Sequence, residues 1–311
     1  MVAIVFPGQG SQRPGMGEDL YHNDSFARQV FDQVQQATGI NVASLCFTSD
    51  EETLRQTQNT QIALYTCGLA AYLALDAAMP ELQPVAMAGH SVGEYAALAA
   101  AGKISIEEGA RLVRKRGEIM ARAGADRPGA MSAVLGLTAE ELQHILDSAT
   151  FDGDVVIAND NCPGQLVISG DRDAVQAASV LAGERGAKRV LPLPVSGAFH
   201  SPLMKSSAEE MAVDLAKARF GASEIPVYSN VTTRPGDDWA KLLQQQLESP
   251  VRWTESVQQM IADGVTTFVE CGSGEVLTGL VRRIDKEKTG LRVLDTATLS
   301  ETVSKLKEQM A

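Results

Sequence analysis

The sequence predicts an α/β protein with a mostly parallel sheet, interrupted by a smaller inserted domain. Three observations carry this. Short apolar runs alternate with helical periodicity through residues 1–125. The stretch 126–195 changes to the order β-α-β-β-α-β, the ferredoxin-like split. Strand and helix patterns then resume over 196–311, so the large domain is expected to be discontinuous. The chain has 311 residues, 44% apolar and 21% charged, which suits a large domain with an insert and excludes long disorder.

Val2–Phe6 reads as a buried strand and runs into a glycine-rich loop ending at Gly15. Helices are expected over Asp24–Thr38, Asp50–Gln56 and the alanine-rich Thr60–Met79. Val85–Ala88 is a second strand, and a helix follows from Glu94 to Ala101. Ser105 caps the next helix with Glu108 as its capping-box partner, and that helix continues to Ala123. In the insert, strands are expected at Ala130–Leu137, Val155–Ala158, Gln165–Ser169 and Lys188–Val195. Between them lie a helix capped by Thr138 with Glu141, the turn Asn159–Gly164, and a helix opened by Asp171. Helices near 201–219 and 237–247, a strand at Thr267–Glu270 and a helix from Val276 complete the chain.

Gly89-His-Ser91-Val-Gly93 lies between a strand and a helix, which is the nucleophile-elbow pattern and makes the large domain α/β-hydrolase-like. A serine nucleophile needs an exposed hydroxyl on a sharp turn, and the flanking glycines let strand and helix approach. The bland alternative is a glycine-rich strand-to-helix turn. The serine also needs a base. Of four histidines, His90 points away from its neighbour's hydroxyl, His144 lies on a charged helix and His22 in a polar loop. His200, on a loop after a strand, remains as the candidate. No acid in the sequence offers itself as a third triad member.

The helix Glu107–Ala123 carries five cationic residues, of which Arg116 lies on an apolar row with Leu112 and Met120. A buried guanidinium needs an anionic partner, either a protein carboxylate or a substrate, and spacing alone favours the protein carboxylate, a structural salt bridge.

A formal charge of −12 argues against a nucleic-acid binder. Cys46, Cys67, Cys162 and Cys271 have no metal or redox spacing, so free buried thiols in a reducing compartment are expected, with no metal. Ile62–Met79 contains Thr66, Gly68 and Asp76 and reads as a core helix rather than a membrane span. The N-terminus shows no signal pattern, so a cytoplasmic protein is expected, or an organellar one without its transit segment. Nothing suggests a dimer seam, and a monomer is the default.

Several segments in order resemble the malonyl-CoA:acyl-carrier-protein transacylases of fatty-acid synthesis. They are Phe6-Pro-Gly-Gln9-Gly-Ser-Gln12, Gly89-His-Ser91-Val-Gly-Glu-Tyr95, Arg116-Gly-Glu-Ile-Met120, Gly197-Ala-Phe-His200-Ser-Pro-Leu-Met204 and Ser249-Pro-Val-Arg-Trp253. Asn159–Gly170 and Gly272–Gly279 also match family segments, so the likeness runs nearly end to end. The resemblance implies that Ser91 is acylated, with His200 as general base. It implies oxyanion-hole amides at Gln9 and Val92, and Arg116 as clamp for the malonyl carboxylate. Met120 and Phe199 would line the acyl site, with Phe199 and Val92 as the malonyl-selective forms. The main-chain carbonyl of Gln246 would orient the histidine. The substrates implied are malonyl-CoA and phosphopantetheinylated acyl carrier protein, without cofactor.

The carrier protein is acidic, as is this chain, so docking needs a local basic patch, for which Lys188, Arg189, Arg282, Arg283, Lys286 and Lys288 are candidates. Rival readings are a trans-acting polyketide acyltransferase and a serine esterase or thioesterase, which would not need Arg116. A nucleotide-binding protein is disfavoured. Gly8-Gln-Gly10 lacks a P-loop ending, and Gly272-Ser-Gly274 has the wrong spacing for a dinucleotide fingerprint.

Overall fold

The computed structural model describes residues 1–195 and 197–310. The expected domain limits at Ser196 and Ala311 lie outside the described residues. The strands, in chain order, are β1 (Val2–Phe6), β2 (Ala86–Gly89), β3 (Gly129–Leu135), β4 (Val155–Cys162), β5 (Gln165–Asp171), β6 (Arg189–Pro192), β7 (Val227–Tyr228), β8 (Val251–Arg252), β9 (Thr267–Cys271) and β10 (Thr289–Val293).

Five of these form a parallel sheet in the order β10-β9-β1-β2-β7. Its central strand β1 is apolar on both faces, as a sheet covered on both sides requires. Ile4 and Phe6 pack into a large core with the helices Ser25–Thr38, Thr57–Ala78 and Ile106–Asp126. Ala3 and Val5 point the other way, into a second core with Trp253, Val257, Met260 and Leu277. Thr57–Ala78 is long and apolar enough to cross a bilayer, but most of it is buried in the fold. That burial on nearly all sides explains why it lacks a polar face.

The second sheet has the order β6-β3-β5-β4-β8. Its first four strands are antiparallel and carry the helices Ala139–Asp147 and Arg172–Glu184 over a core of Val134, Leu142, Ile168 and Val175. β8 comes from far outside the 126–195 segment and pairs in parallel with β4, Asn159 opposite Val251. The small sheet is therefore not confined to the inserted stretch. Two further expectations need correcting. β4 continues through Asn159–Cys162, where a turn was predicted, because pairing to β5 and β8 overrides the poor strand propensity of asparagine. β6 ends at Pro192 rather than Val195.

Thr138 and Glu141 form a full capping box. Ser105 accepts from Glu108 N at 3.1 Å, but Glu108 turns its carboxylate to Arg111 Nη2 at 2.9 Å instead of back to the cap.

The elbow is a crossing of three backbones. A Cβ on Gly89 would lie 1.9 Å from Gly93 C, and one on Gly93 would lie 2.2 Å from Phe6 O, which belongs to β1. Gly93→Ala is expected to destabilise the fold by about 3 kcal/mol or more, read from the urea midpoint. Gly279→Ala, where a Cβ meets nothing within 4 Å, should be neutral or stabilising.

Candidate active site

Ser91 follows β2 and precedes the helix Gly93–Ala100. Its φ of 52° is left-handed, a conformation that a residue with a Cβ avoids unless held. Three hydrogen bonds hold it. Ser91 N donates to Asn230 Oδ1 at 2.8 Å, Asn230 Nδ2 donates to Gly89 O at 2.7 Å, and Gly93 N donates to His90 O at 3.0 Å. The side chain is thereby projected off the end of the strand.

Ser91 Oγ lies 2.8 Å from His200 Nε2. His200 is also left-handed, with φ 58°, and only 4% exposed. Its Nδ1 faces two carbonyl oxygens, Gln246 O at 2.8 Å and Ser249 O at 3.2 Å. Carbonyls can only accept, so Nδ1 carries the proton and Nε2 is free to accept from the serine hydroxyl. Main-chain oxygen thus stands where a triad would place an acid. Burial, and then the positive charge of Arg116, push the imidazole pKa down to about 3.

Arg116 sits on the helix Ile106–Asp126 between Leu112 and Met120, which are buried with it, and is 1% exposed. Its hydrogen bonds go to neutral groups. Nη1 donates to Gln61 Oε1 at 2.7 Å, and Nη2 to Gln246 Oε1 at 2.9 Å and Ser91 Oγ at 3.0 Å. Nε has no partner among the described residues. The protein carboxylate that spacing favoured as its direct partner is absent among the described residues, and the salt-bridge expectation is corrected. A desolvated cation faces the serine through Nη2, and such a group favours an anion.

A cavity of about 100 Å³ opens at this point, lined by Gln9, Ser91, Val92, Arg116, Met120, Phe199 and His200, with Gln61 and Met131. A second, of about 220 Å³, shares Gln9, His90, Asn159 and Leu193 with it and extends along the glycine loop Gly8–Ser11 to Leu280. Together they give a path from the small sheet to the serine.

The acyl transferase domain family matches residues 3–310 of this sequence. The chain belongs to that family. It is an acyltransferase. It is 44% identical to the malonyl CoA-acyl carrier protein transacylase of Bacillus subtilis (strain 168), over 99% of this chain and 98% of that protein. The crystal structure of an acyl carrier protein S-malonyltransferase from Vibrio cholerae superposes with a TM-score of 0.92 at 43% identity, over 97% of this chain and 99% of that one. A complex described as a type II PKS acyl-carrier protein with its malonyl-transacylase matches with a TM-score of 0.92 at 37% identity, covering 98% and 99% of the two chains.

The other histidines make no hydrogen bond to Ser91, although His90 lines the cavity. His90 Nε2 bonds Asn161 Oδ1 at 2.8 Å and its ring lies against Trp253, while His22 and His144 are exposed. The basic residues lie elsewhere. Arg189 and Gln165 flank Leu135 on neighbouring strands, about 10 Å apart, and Arg283 Nη1 donates to Gln165 Oε1 at 2.5 Å. Arg189, Arg283 and the adjacent Lys188 therefore gather at one end of the small sheet. Arg283 is engaged there rather than free, Arg282 and Lys286 are exposed, and Lys288 pairs with Asp285 at 3.7 Å.

Sequence reading missed Asn230, Glu94 and Gln61. Asn230 follows a two-residue strand that leaves no pattern, and Glu94 passed as an ordinary acid in a helix's first turn. Gln61 was detectable, since it opens the apolar run of a helix buried nearly all round.

A base whose pKa is lowered keeps its neutral, proton-accepting form to lower pH. Single-turnover acylation of Ser91 is expected to change less than threefold between pH 7.5 and 5.5. A loss tracking an ordinary histidine near 6.5 would contradict the burial argument.

Proposed function

We propose that this acyltransferase moves a malonyl group from malonyl-CoA to the phosphopantetheine thiol of an acyl carrier protein, supplying fatty-acid synthesis. The observation that carries the reading is Arg116, a buried guanidinium whose Nη2 lies 3.0 Å from Ser91 Oγ and which touches no carboxylate among the described residues. An acetyl or fatty acyl group gives that cation nothing to bind, whereas a malonyl carboxylate does. The names of the relatives point the same way.

In this reading Ser91 Oγ attacks the thioester carbonyl while His200 Nε2 takes the hydroxyl proton. The backbone amides of Gln9 and Val92, beside Ser91 in the cavity, stabilise the oxyanion. The tetrahedral intermediate collapses, the carbon–sulfur bond breaks, and CoA leaves as its thiol with the proton from His200. The carrier thiol then attacks the malonyl-serine ester, His200 again takes the proton, and Ser91 recovers it. Gln246 O and Ser249 O keep the imidazole in one tautomer throughout. Met120 and Phe199 shape the acyl site. The chemistry calls on no metal or cofactor, because each step is a proton transfer or an acyl exchange between thioester and ester.

The same reading includes a discontinuous α/β-hydrolase-like catalytic domain, 1–125 with 196–311, and a ferredoxin-like domain, 126–195. The β6-β3-β5-β4 order supports the latter. It also includes a monomeric, cytoplasmic enzyme with no membrane or nucleic-acid partner. A polyketide carrier is the second reading, favoured by the likeness to the type II PKS complex.

The test is intact mass after brief mixing with malonyl-CoA or acetyl-CoA. Wild type should gain a malonyl adduct in preference to acetyl, and Ser91→Ala should gain none. Arg116→Ala should lose malonyl loading by about 2–4 kcal/mol, about 30-fold to 1000-fold, with acetyl loading far less affected. Intact malonyl-CoA and no adduct would defeat the proposal, while CoA release without adduct would indicate a hydrolase.

Carrier docking is assigned to the basic end of the small sheet together with the exposed Arg282, next in sequence to Arg283. Arg189→Glu with Arg282→Glu should raise the KM for carrier protein about tenfold at low salt, with the gap closing at high salt. Unchanged carrier kinetics at low salt would remove these two residues from the interface.

A further inference from the structure

Glu94 lies in the first turn of the helix after Ser91 and is fully buried, although the reaction as described makes no use of it. Its Oε1 accepts from Asn230 N at 2.6 Å, and its Oε2 accepts from Gln246 Nε2. Gln246 turns its other amide atom, Oε1, to Arg116 Nη2 at 2.9 Å. A primary amide has a donor end and an acceptor end. A carboxylate on one side of Gln246 admits only the NH₂, which turns the carbonyl towards the guanidinium. Arg116, Gln246 and Glu94 thus form a chain of cation, amide and anion, with the counter-charge of Arg116 held one residue away. That arrangement anchors the guanidinium while leaving Nε without a partner among the described residues.

We propose that Glu94 is a positioning residue that sets the preference for carboxylate-bearing acyl groups, acting through the Gln246 amide on Arg116. The proposal rests on the reading that Arg116 holds the acyl carboxylate. Burial raises the Glu94 carboxyl to about 8, opposed by hydrogen bonds from Asn230 and Gln246 and by the charge of Arg116. Both oxygens face N–H donors, which is the pattern of the anion. In Glu94→Gln one of those donors meets an NH₂ group instead. Gln246 then loses its fixed polarity and can turn its own NH₂ against Arg116. Any disturbance passed through Asn230 to Ser91 slows all acyl groups alike. Only a substrate carrying a carboxylate also registers the position of Arg116.

The experiment measures single-turnover loading from malonyl-CoA and acetyl-CoA at pH 8.5, in wild type, Glu94→Gln, Arg116→Ala and the double variant, with folding checked by circular dichroism. The malonyl-to-acetyl ratio should fall at least fivefold in Glu94→Gln, with no further fall when the change is added to Arg116→Ala. Should Glu94→Gln not fold, Glu94→Asp, which keeps the charge but retracts it from Gln246, should lower the ratio in the same direction. Equal loss of malonyl and acetyl loading in the Glu94 variant, or a further fall of the ratio in the double variant, overturns the relay. If Arg116→Ala itself leaves the ratio unchanged, the clamp reading fails and takes the relay with it. A lowered ratio in Arg116→Ala beside an unchanged one in the Glu94 variant removes the relay alone.

Discussion

The left-handed backbone of Ser91 costs on the order of 1–3 kcal/mol, and elements from distant parts of the chain converge to hold it. β1 supplies Phe6 O as the acceptor for His90 N, and Asn230, just after β7, binds both Ser91 N and Gly89 O. Gln246 Nε2 reaches Ser91 O at 3.1 Å from the far end of another helix. The parallel sheet makes this possible. With β1, β2 and β7 adjacent and pointing the same way, the chain leaves all three at one edge, beside the hydroxyl. The absence of side chains at Gly89 and Gly93 then lets the strand and helix close to backbone contact.

Once the serine is fixed, the charges decide what the site can do. Arg116 is buried against Tyr95, with its guanidinium carbon 5.7 Å from the ring centroid. The groups it touches are neutral, so its field is unopposed at first contact and acts on both Ser91 and His200. Two main-chain oxygens behind the imidazole suit this setting. A carboxylate there would raise the basicity of His200, but it would also offer Arg116 a permanent anion close to the acyl site. Carbonyls orient the ring without adding a charge.

How much of this was legible in the sequence depended on the range of the signal. The elbow was readable because strand, glycines, serine and helix occupy one continuous stretch, and β1 because five apolar residues precede a glycine loop. Arg116 was readable as buried from its place between Leu112 and Met120, but not the nature of its partner. That depends on Gln61 and Gln246, which lie 55 and 130 residues away. β7 and β8 have two residues each and carry no periodicity. Their existence follows from the sheets they join. β4 was cut short for the related reason that its asparagines read as a turn until tertiary pairing is known. The family resemblance supplied the candidate role of Gln246 O, which no local pattern contains.

The distribution of charge also bears on how a malonyl group held by Arg116, as proposed, would suit the site better than a neutral one. Without substrate, the Arg116 cation and burial both oppose protonation of His200. An acyl carboxylate on Arg116 would cancel much of that field, so the imidazole would become a stronger base while the reactive carbonyl is being positioned. A neutral acyl group would leave the base weak and the guanidinium pointed at the serine. Glu94 is placed so that it does not perform the cancellation itself. Its charge reaches Arg116 only through an amide, strong enough to orient the cation and indirect enough to leave a donor open. Selection and activation would then draw on the same cation, and discrimination would arise in the chemical step as well as in binding.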